Sequence, residues 1–230
     1  VAHTDTEDRG PSRSGFQADL DELRLQVEVM ALRVGTALDG ATEILRRGDE
    51  ALAVEVIAAD DDIDAMLVSL STRCYELLAR QSPVASDLRL VVSVLRILTE
   101  FERIGDLCLR IAHLAAQQPI VASDAEIFEI LQAMAGEATE LYRSAVDAWS
   151  TRNAALAVTL AGRDDALDTH YARLTEAILA LTGPDAVPRA VAAVTIGRTL
   201  ERIADHAVLI GVRLRYLLTG DPRFLTEEAR

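Results

Sequence analysis

The sequence predicts an all-α fold: two tandem three-helix bundles, six long helices in all, related by internal duplication. Three observations carry this. Half of the 230 residues are apolar while only 12 are Gly and 6 are Pro, so helix breakers are scarce. The apolar residues recur at three and four positions over long stretches, which is the helical period. The phrase Glu-Arg-Ile-x-Asp occurs twice, at 102–106 and at 201–205. A second repeat agrees with the first: Ala51-Leu52-Ala53-Val54 returns as Ala155-Leu156-Ala157-Val158, and Asp60, Asp61 and Asp64 return as Asp164, Asp165 and Asp168. The offset is 104 residues there and 99 at the Glu-Arg-Ile-x-Asp phrase, so the second copy is five residues shorter between the two acidic segments. The loss falls where the first copy carries Ser82-Pro83-Val84-Ala85-Ser86, a turn that tolerates length change. Each unit spans about a hundred residues, enough for one core each.

The elements follow in order. Residues 1–14 mix charge with Gly10, Pro11 and Ser12, lack apolar periodicity, and read as a flexible tail. The first bundle occupies 15–118. Its first helix carries Leu20, Leu23, Val27, Met30, Val34 and Leu38 and ends at Gly48, a residue suited to a left-handed cap. The second helix runs from Asp49 to about Gln81 and stops at Ser82-Pro83, where serine can cap and proline can occupy the first turn of the third. The third carries Val91, Val94, Leu95, Leu98, Phe101, Ile104 and Ile111 and ends at Gln117-Gln118-Pro119. The second bundle occupies 123–220. Ser123-Asp124-Ala125-Glu126 has the form of a capping box and opens the fourth helix, which reaches Trp149 and breaks between Ser150 and Asn153. A fifth helix ends near Thr182-Gly183-Pro184. Asp185 opens the sixth, which stops at Gly220-Asp221-Pro222 and leaves 221–230 as a tail.

Composition narrows the function. A formal net charge of -14 opposes binding to nucleic acid, whose phosphates need a basic surface, and opposes adsorption to an anionic leaflet. Protein or cation partners are expected instead. Cys74 and Cys108 are the only cysteines, each within a helical pattern, so neither a disulfide framework nor a structural zinc site is expected. The polar N-terminus lacks an apolar signal core, and no run approaches a membrane span. A cytoplasmic location is expected.

The residues with chemical potential are carboxylates. Side chains four apart on a helix share a face, so Asp60 with Asp64, Glu102 with Asp106, and their repeats Asp164 with Asp168 and Glu201 with Asp205, each offer two carboxylates to one cation. Without a neutralising group such a pair costs roughly 0.2–0.5 kcal/mol in an isolated helix. Clustered oxygen ligands favour hard cations such as magnesium, manganese, calcium or ferric iron, while zinc and copper more often recruit His or Cys. In a chain with 37 acidic residues, about six such pairs arise by chance on solvated helix faces. What distinguishes these is their recurrence in both units with identical neighbours. The competing structural reading is an acidic seam neutralised by Arg103 and Arg202.

Three histidines lie near the acidic segments and do not repeat: His113 matches Val212, His206 matches Leu107, and His170 lies off the Asp168 face, so these three read as structural. No nucleophile elbow, phosphate-cradling Gly-rich loop or His-Glu-x-x-His motif occurs, and none of the four histidines follows a glutamate at the spacing of ferritin-like di-iron sites. An enzyme is not expected.

Phe-Gln-Ala-Asp-Leu-Asp-Glu-Leu-Arg at 16–24, Leu-Leu-Ala-Arg-Gln-Ser-Pro-Val-Ala-Ser-Asp-Leu-Arg at 77–89, Glu-Arg-Ile-Gly-Asp at 102–106 and Glu-Arg-Ile-Ala-Asp-His-Ala at 201–207 together resemble the PhoU family of phosphate-signalling regulators, over essentially residues 16–220. The resemblance implies a negative regulator, active when phosphate is plentiful, that restrains the Pst phosphate transporter through its ATPase and restrains the phosphate sensor histidine kinase, by protein contacts. It implies multivalent metal, with iron, manganese, magnesium and zinc as candidates, held by Asp60, Asp64, Glu102 and Asp106 in the first bundle and by Asp164, Asp168, Glu201 and Asp205 in the second. The family commonly carries asparagine four residues after each motif aspartate; here Arg110 and Leu209 stand there. A homodimer is expected, since helical bundles with exposed apolar stripes commonly pair. The alternatives are a metal-free helical adaptor of another regulatory system and a metal-storage or redox protein.

Overall fold

The computed structural model describes residues 13–81 and 83–227, with all side chains in those ranges except at 13, 81, 161 and 163–165. Among the described residues eight helices succeed one another: α1 (Arg13–Arg47), α2 (Glu50–Gln81), α3 (Ala85–His113), α4 (Gln118–Ala122), α5 (Ala125–Thr151), α6 (Ala154–Leu179), α7 (Ala186–Thr219) and α8 (Arg223–Thr226), with one 3-10 turn, Ala115–Gln117, ahead of α4. No strand occurs among the described residues. The six long helices form two three-helix bundles, α1–α3 and α5–α7, as the periodicity predicts.

Local chemistry sets the ends. Gly48 takes φ 68°, and its amide reaches the Ile44 carbonyl at 2.7 Å, closing α1. Asp49 Oδ1 then accepts from the Ala51 and Leu52 amides, both at 3.0 Å, and starts α2. Asn153 does the same for α6, accepting from the Leu156 amide at 3.0 Å directly after Arg152 in the left-handed region. Gly220, φ 73°, ends α7.

Four boundary expectations need revision. The capping role at α5 belongs to Asp124, whose Oδ1 accepts from the Ile127 amide at 3.1 Å, and Ser123 instead donates to the Ile120 carbonyl at 2.7 Å. Its hydroxyl also accepts from Arg189 Nη2 at 2.8 Å, so Ser123 ties α4 to α7. Helix α3 ends at His113 rather than at Gln117–Pro119, and the connection continues through the 3-10 turn into the short helix α4, which buries Val121 fully. Arg13 and Ser14, read as tail, are already helical, and the rest of that tail, like the proposed cap Ser82, lies outside the described residues. The stretch after Gly220, also read as tail, forms α8 against α7.

The largest departure concerns the core. The repeat pattern predicts one core per bundle; a single continuous cluster of buried side chains runs through both. Helix α3 lies against α7 and α1 against α5, while α2 and α6 flank the outside, each packing mainly on the long helices of its own bundle. Duplicated helices whose apolar stripes exceed what one three-helix unit covers bury the excess against their repeats, gaining about 25 cal/mol for each Å² removed from water. Phe101 of α3, fully buried, meets the Tyr142 ring of α5 edge-on with centroids 6.3 Å apart and an interplanar angle of 71°. Cys74 and Cys108 are fully buried, as their patterns predict.

Candidate functional site

The first acidic face is built by α2 and α3. Asp60 and Asp64 stand on one face of α2, Glu102 and Asp106 on one face of α3, and Gly105 lets the two helices close. A β-carbon at Gly105 would lie 3.3 Å from Ile63 Cδ1 and 3.5 Å from Asp60 Oδ1, so the Asp60 carboxylate rests against the α3 backbone. All four predicted residues share this face. Burial raises the Asp60 carboxyl pKa above its ordinary value, and the charges of Asp64, Asp106 and Asp61 push it further. Glu102 is raised by burial and then by Asp106, with smaller contributions from Asp64 and Asp60, while Arg103 partly offsets the effect.

Arg103 is the basic group at this face. Its Nη1 lies 3.4 Å from Asp106 Oδ2 and its Nε 3.7 Å from Glu102 Oε2. Its side chain is 53% exposed, so these contacts contribute at most about 1 kcal/mol. Arg110, the departure from the family pattern, enters no ion pair among the described residues.

The second face, on α6 and α7, carries Asp168, exposed, with Glu201 and Asp205 half-buried. Asp164 lies in α6, but its side chain falls outside the described residues. Two residues that the sequence pattern does not single out belong here. Arg198, one turn before Glu201, makes an ion pair with it and stands 5.5 Å from the centroid of the Tyr171 ring. Burial raises the Tyr171 hydroxyl pKa; Arg198 works against this and Glu201 with it. The first repeat has Thr99 and Leu67 at these positions, so the paired guanidinium and phenol of Arg198 and Tyr171 have no counterpart on the first face, whose guanidinium is that of Arg103. Their signal in the sequence is spacing alone, with Arg198 three residues before Glu201 and Tyr171 seven after Asp164.

The donor chemistry suits a hard cation: oxygen ligands only, partly desolvated and mutually repulsive. Among the described residues, however, no three His, Cys, Asp or Glu side chains converge closely enough to hold an ion. The described carboxylates share faces without meeting at a point.

These two faces, at matching places in a duplicated bundle, are the context for comparison with known proteins. A PhoU domain matches residues 27–115 and again 131–214. The chain belongs to the PhoU family. It is 30% identical over 207 residues to the phosphate-specific transport system accessory protein PhoU homolog of Pseudomonas putida, covering 89% of this chain and 81% of that one. It is 32% identical over 209 residues to PhoU homolog 1 of Mycobacterium tuberculosis, covering 90% of this chain and 95% of that one. The crystal structure of PhoU from Pseudomonas aeruginosa superposes with a TM-score of 0.82 at 29% identity, covering 90% of this chain and all of that one. The PhoU domain match at 27–115 holds the first acidic face, and that at 131–214 holds the second.

Proposed function

We propose that this chain is an accessory protein of a phosphate transport system that restrains phosphate uptake and the phosphate-starvation response. The observation that carries this reading is the PhoU likeness along nearly the whole chain, with both acidic faces inside the matched domains. It acts by contact rather than catalysis, on the transporter ATPase, the sensor kinase or both. Exposed Val187 and Val191, 73% and 61% accessible near the start of α7, supply apolar area of the kind a protein partner buries. No helix among the described residues is long and apolar enough to cross a membrane, in keeping with a partner rather than a pore.

In this reading Asp60, Asp64, Glu102 and Asp106 in the first bundle, and Asp164, Asp168, Glu201 and Asp205 in the second, would hold multivalent cations. Their role would be charge neutralisation, which relieves the repulsion that adds to burial in raising Asp60 and Glu102 and shapes the faces a partner meets. A metal-free adaptor is the second reading, favoured by one observation: Arg103 already reaches both Glu102 and Asp106.

Deleting the gene and measuring starvation-gene output in high phosphate tests the regulatory role. Restoring wild type should reverse derepression, and a Glu102→Gln, Asp106→Asn, Glu201→Gln, Asp205→Asn chain should not. Unchanged output on deletion would refute the role, while full rescue by the variant would leave the role standing and remove the carboxylates from it.

A further inference from the structure

The segment after α7 is held down by buried charge. Arg213, 3% exposed, donates from Nη1 to the carbonyls of Phe224 and Leu225, both at 3.1 Å, and from Nη2 to the carbonyl of Glu227 at 2.6 Å. The same Nη2 reaches Glu100 Oε1 on α3 at 3.2 Å, and Glu100 Oε2 lies 2.9 Å from His206 Nδ1 on α7. Glu100 and His206 are 6% and 7% exposed. The Arg215 guanidinium stands 3.9 Å from the centroid of the Phe224 ring, a second hold on the same segment.

None of the three buried residues is part of the duplication. Thr199 matches Glu100, Leu107 matches His206 and Leu114 matches Arg213. The network therefore breaks the pseudo-symmetry at the α3–α7 seam, on the side where the 221–227 strap lies. Nor is it complete, because Arg213 Nε and His206 Nε2 are buried without a hydrogen-bond partner among the described residues. A partly satisfied buried network is sensitive to the loss of any member. Removing the strap withdraws three carbonyl acceptors at once and leaves a desolvated guanidinium with Glu100 as its partner.

We propose that the 221–227 strap and the α3–α7 seam are one coupled conformational unit, with Arg213 and Glu100 as the link. A docked strap holds Arg213 on Glu100 and keeps the seam tight. A released strap leaves Arg213 to pull away toward solvent and loosens α3 around Glu100. Glu102 lies two residues further along α3, and Glu201 and Asp205 lie on α7, so strap release reaches the helices that carry both acidic faces. A partner that captures Phe224 would thereby alter those faces without touching them.

Coupling is reciprocal, which supplies the test. Among the described residues Glu100 is bonded to Arg213 and His206 and to no strap residue. Amide exchange on the full-length chain should nevertheless show Glu100→Gln speeding exchange of the 223–227 amides about tenfold, in the range usual for coupled sites. Phe224→Ala, a substitution in the strap, should in turn speed exchange of the α3 amides around Glu100. Tyr142→Phe, at the α1–α5 contact, lowers global stability and serves as the control that leaves strap exchange unchanged. If Glu100→Gln fails to fold, the Phe224→Ala arm alone decides. Strap exchange unaltered by Glu100→Gln, or altered only as much as by Tyr142→Phe, or α3 exchange unaltered by Phe224→Ala, would overturn the coupling.

Discussion

The Tyr142 hydroxyl of α5 donates to the Ala31 carbonyl of α1 across 2.6 Å, a buried bond between the two halves of the duplication. Burial also raises the tyrosine hydroxyl pKa well above its ordinary value, so it remains a donor throughout the working pH range. Tyr142→Phe keeps the ring against Phe101 and removes only this bond. It should lower unfolding free energy by about 0.5–1.5 kcal/mol with the denaturant slope unchanged, measured by urea unfolding.

Close helix approach makes two glycines respond oppositely to the same substitution. A β-carbon at Gly211 of α7 would meet Leu160 Cδ1 at 2.5 Å and the Ala157 carbonyl oxygen of α6 at 3.3 Å, whereas at Gly136 of α5 it would meet nothing within 4 Å. Gly211→Ala should destabilise by about 1–3 kcal/mol through overpacking. Gly136→Ala should stabilise by about 0.4–1 kcal/mol by restricting the unfolded chain. Thermal unfolding of the two variants beside wild type checks both signs.

The first acidic face carries a pH signature. Asp60 and Glu102 have folded-state pKa values above their ordinary ones. Well below the ordinary carboxylate pKa, about 4, both groups are protonated whether folded or not, and they cost nothing. As pH rises through that range the unfolded state ionises first, so stability falls until the raised folded pKa is passed and then stays lower. Asp60→Asn and Glu102→Gln should therefore raise the melting temperature at pH 7, and the gain should vanish at acid pH.

A cation bound at that face should produce the same relief without mutation. Manganese or iron added at pH 7 should raise the melting temperature of wild type and leave the four-carboxylate variant unmoved. Stoichiometric metal by elemental analysis of protein prepared without chelator would accompany it. An equal response of both proteins would place any binding elsewhere.

Neither cysteine should react in the folded protein. Burial pushes the Cys74 thiol up to about 12 and the Cys108 thiol higher still, so thiolate is scarce near neutrality. A thiol reagent at pH 8 should modify neither residue in native protein and both after denaturation.

Local and periodic information is legible in the order of residues alone. Leu20 through Leu38 on α1 and Val91 through Ile111 on α3 announce helices by period, Gly48 and Gly220 announce their ends, and Asp60, Asp64, Glu102 and Asp106 announce a common face by spacing along each helix. The cap at α5 is ambiguous at that level because Ser123 and Asp124 are both competent caps; in the fold Arg189 from α7 reaches both side chains, and Asp124 Oδ1 takes the Ile127 amide while the Ser123 hydroxyl turns to the Ile120 carbonyl.

Tertiary structure alone decides what crosses between repeats. Glu100, His206 and Arg213 each occupy an apolar stripe, three residues after Ile97, Ile203 and Ile210, a local oddity whose meaning depends on partners 106 or 113 residues away. Arg198 meets Tyr171 only because α6 lies beside α7. Periodicity is set by neighbours along one helix, and a sequence displays it directly. The merging of two expected cores into one depends on which stripes remain uncovered once each bundle has closed, and burial across the α3–α7 and α1–α5 contacts settles that.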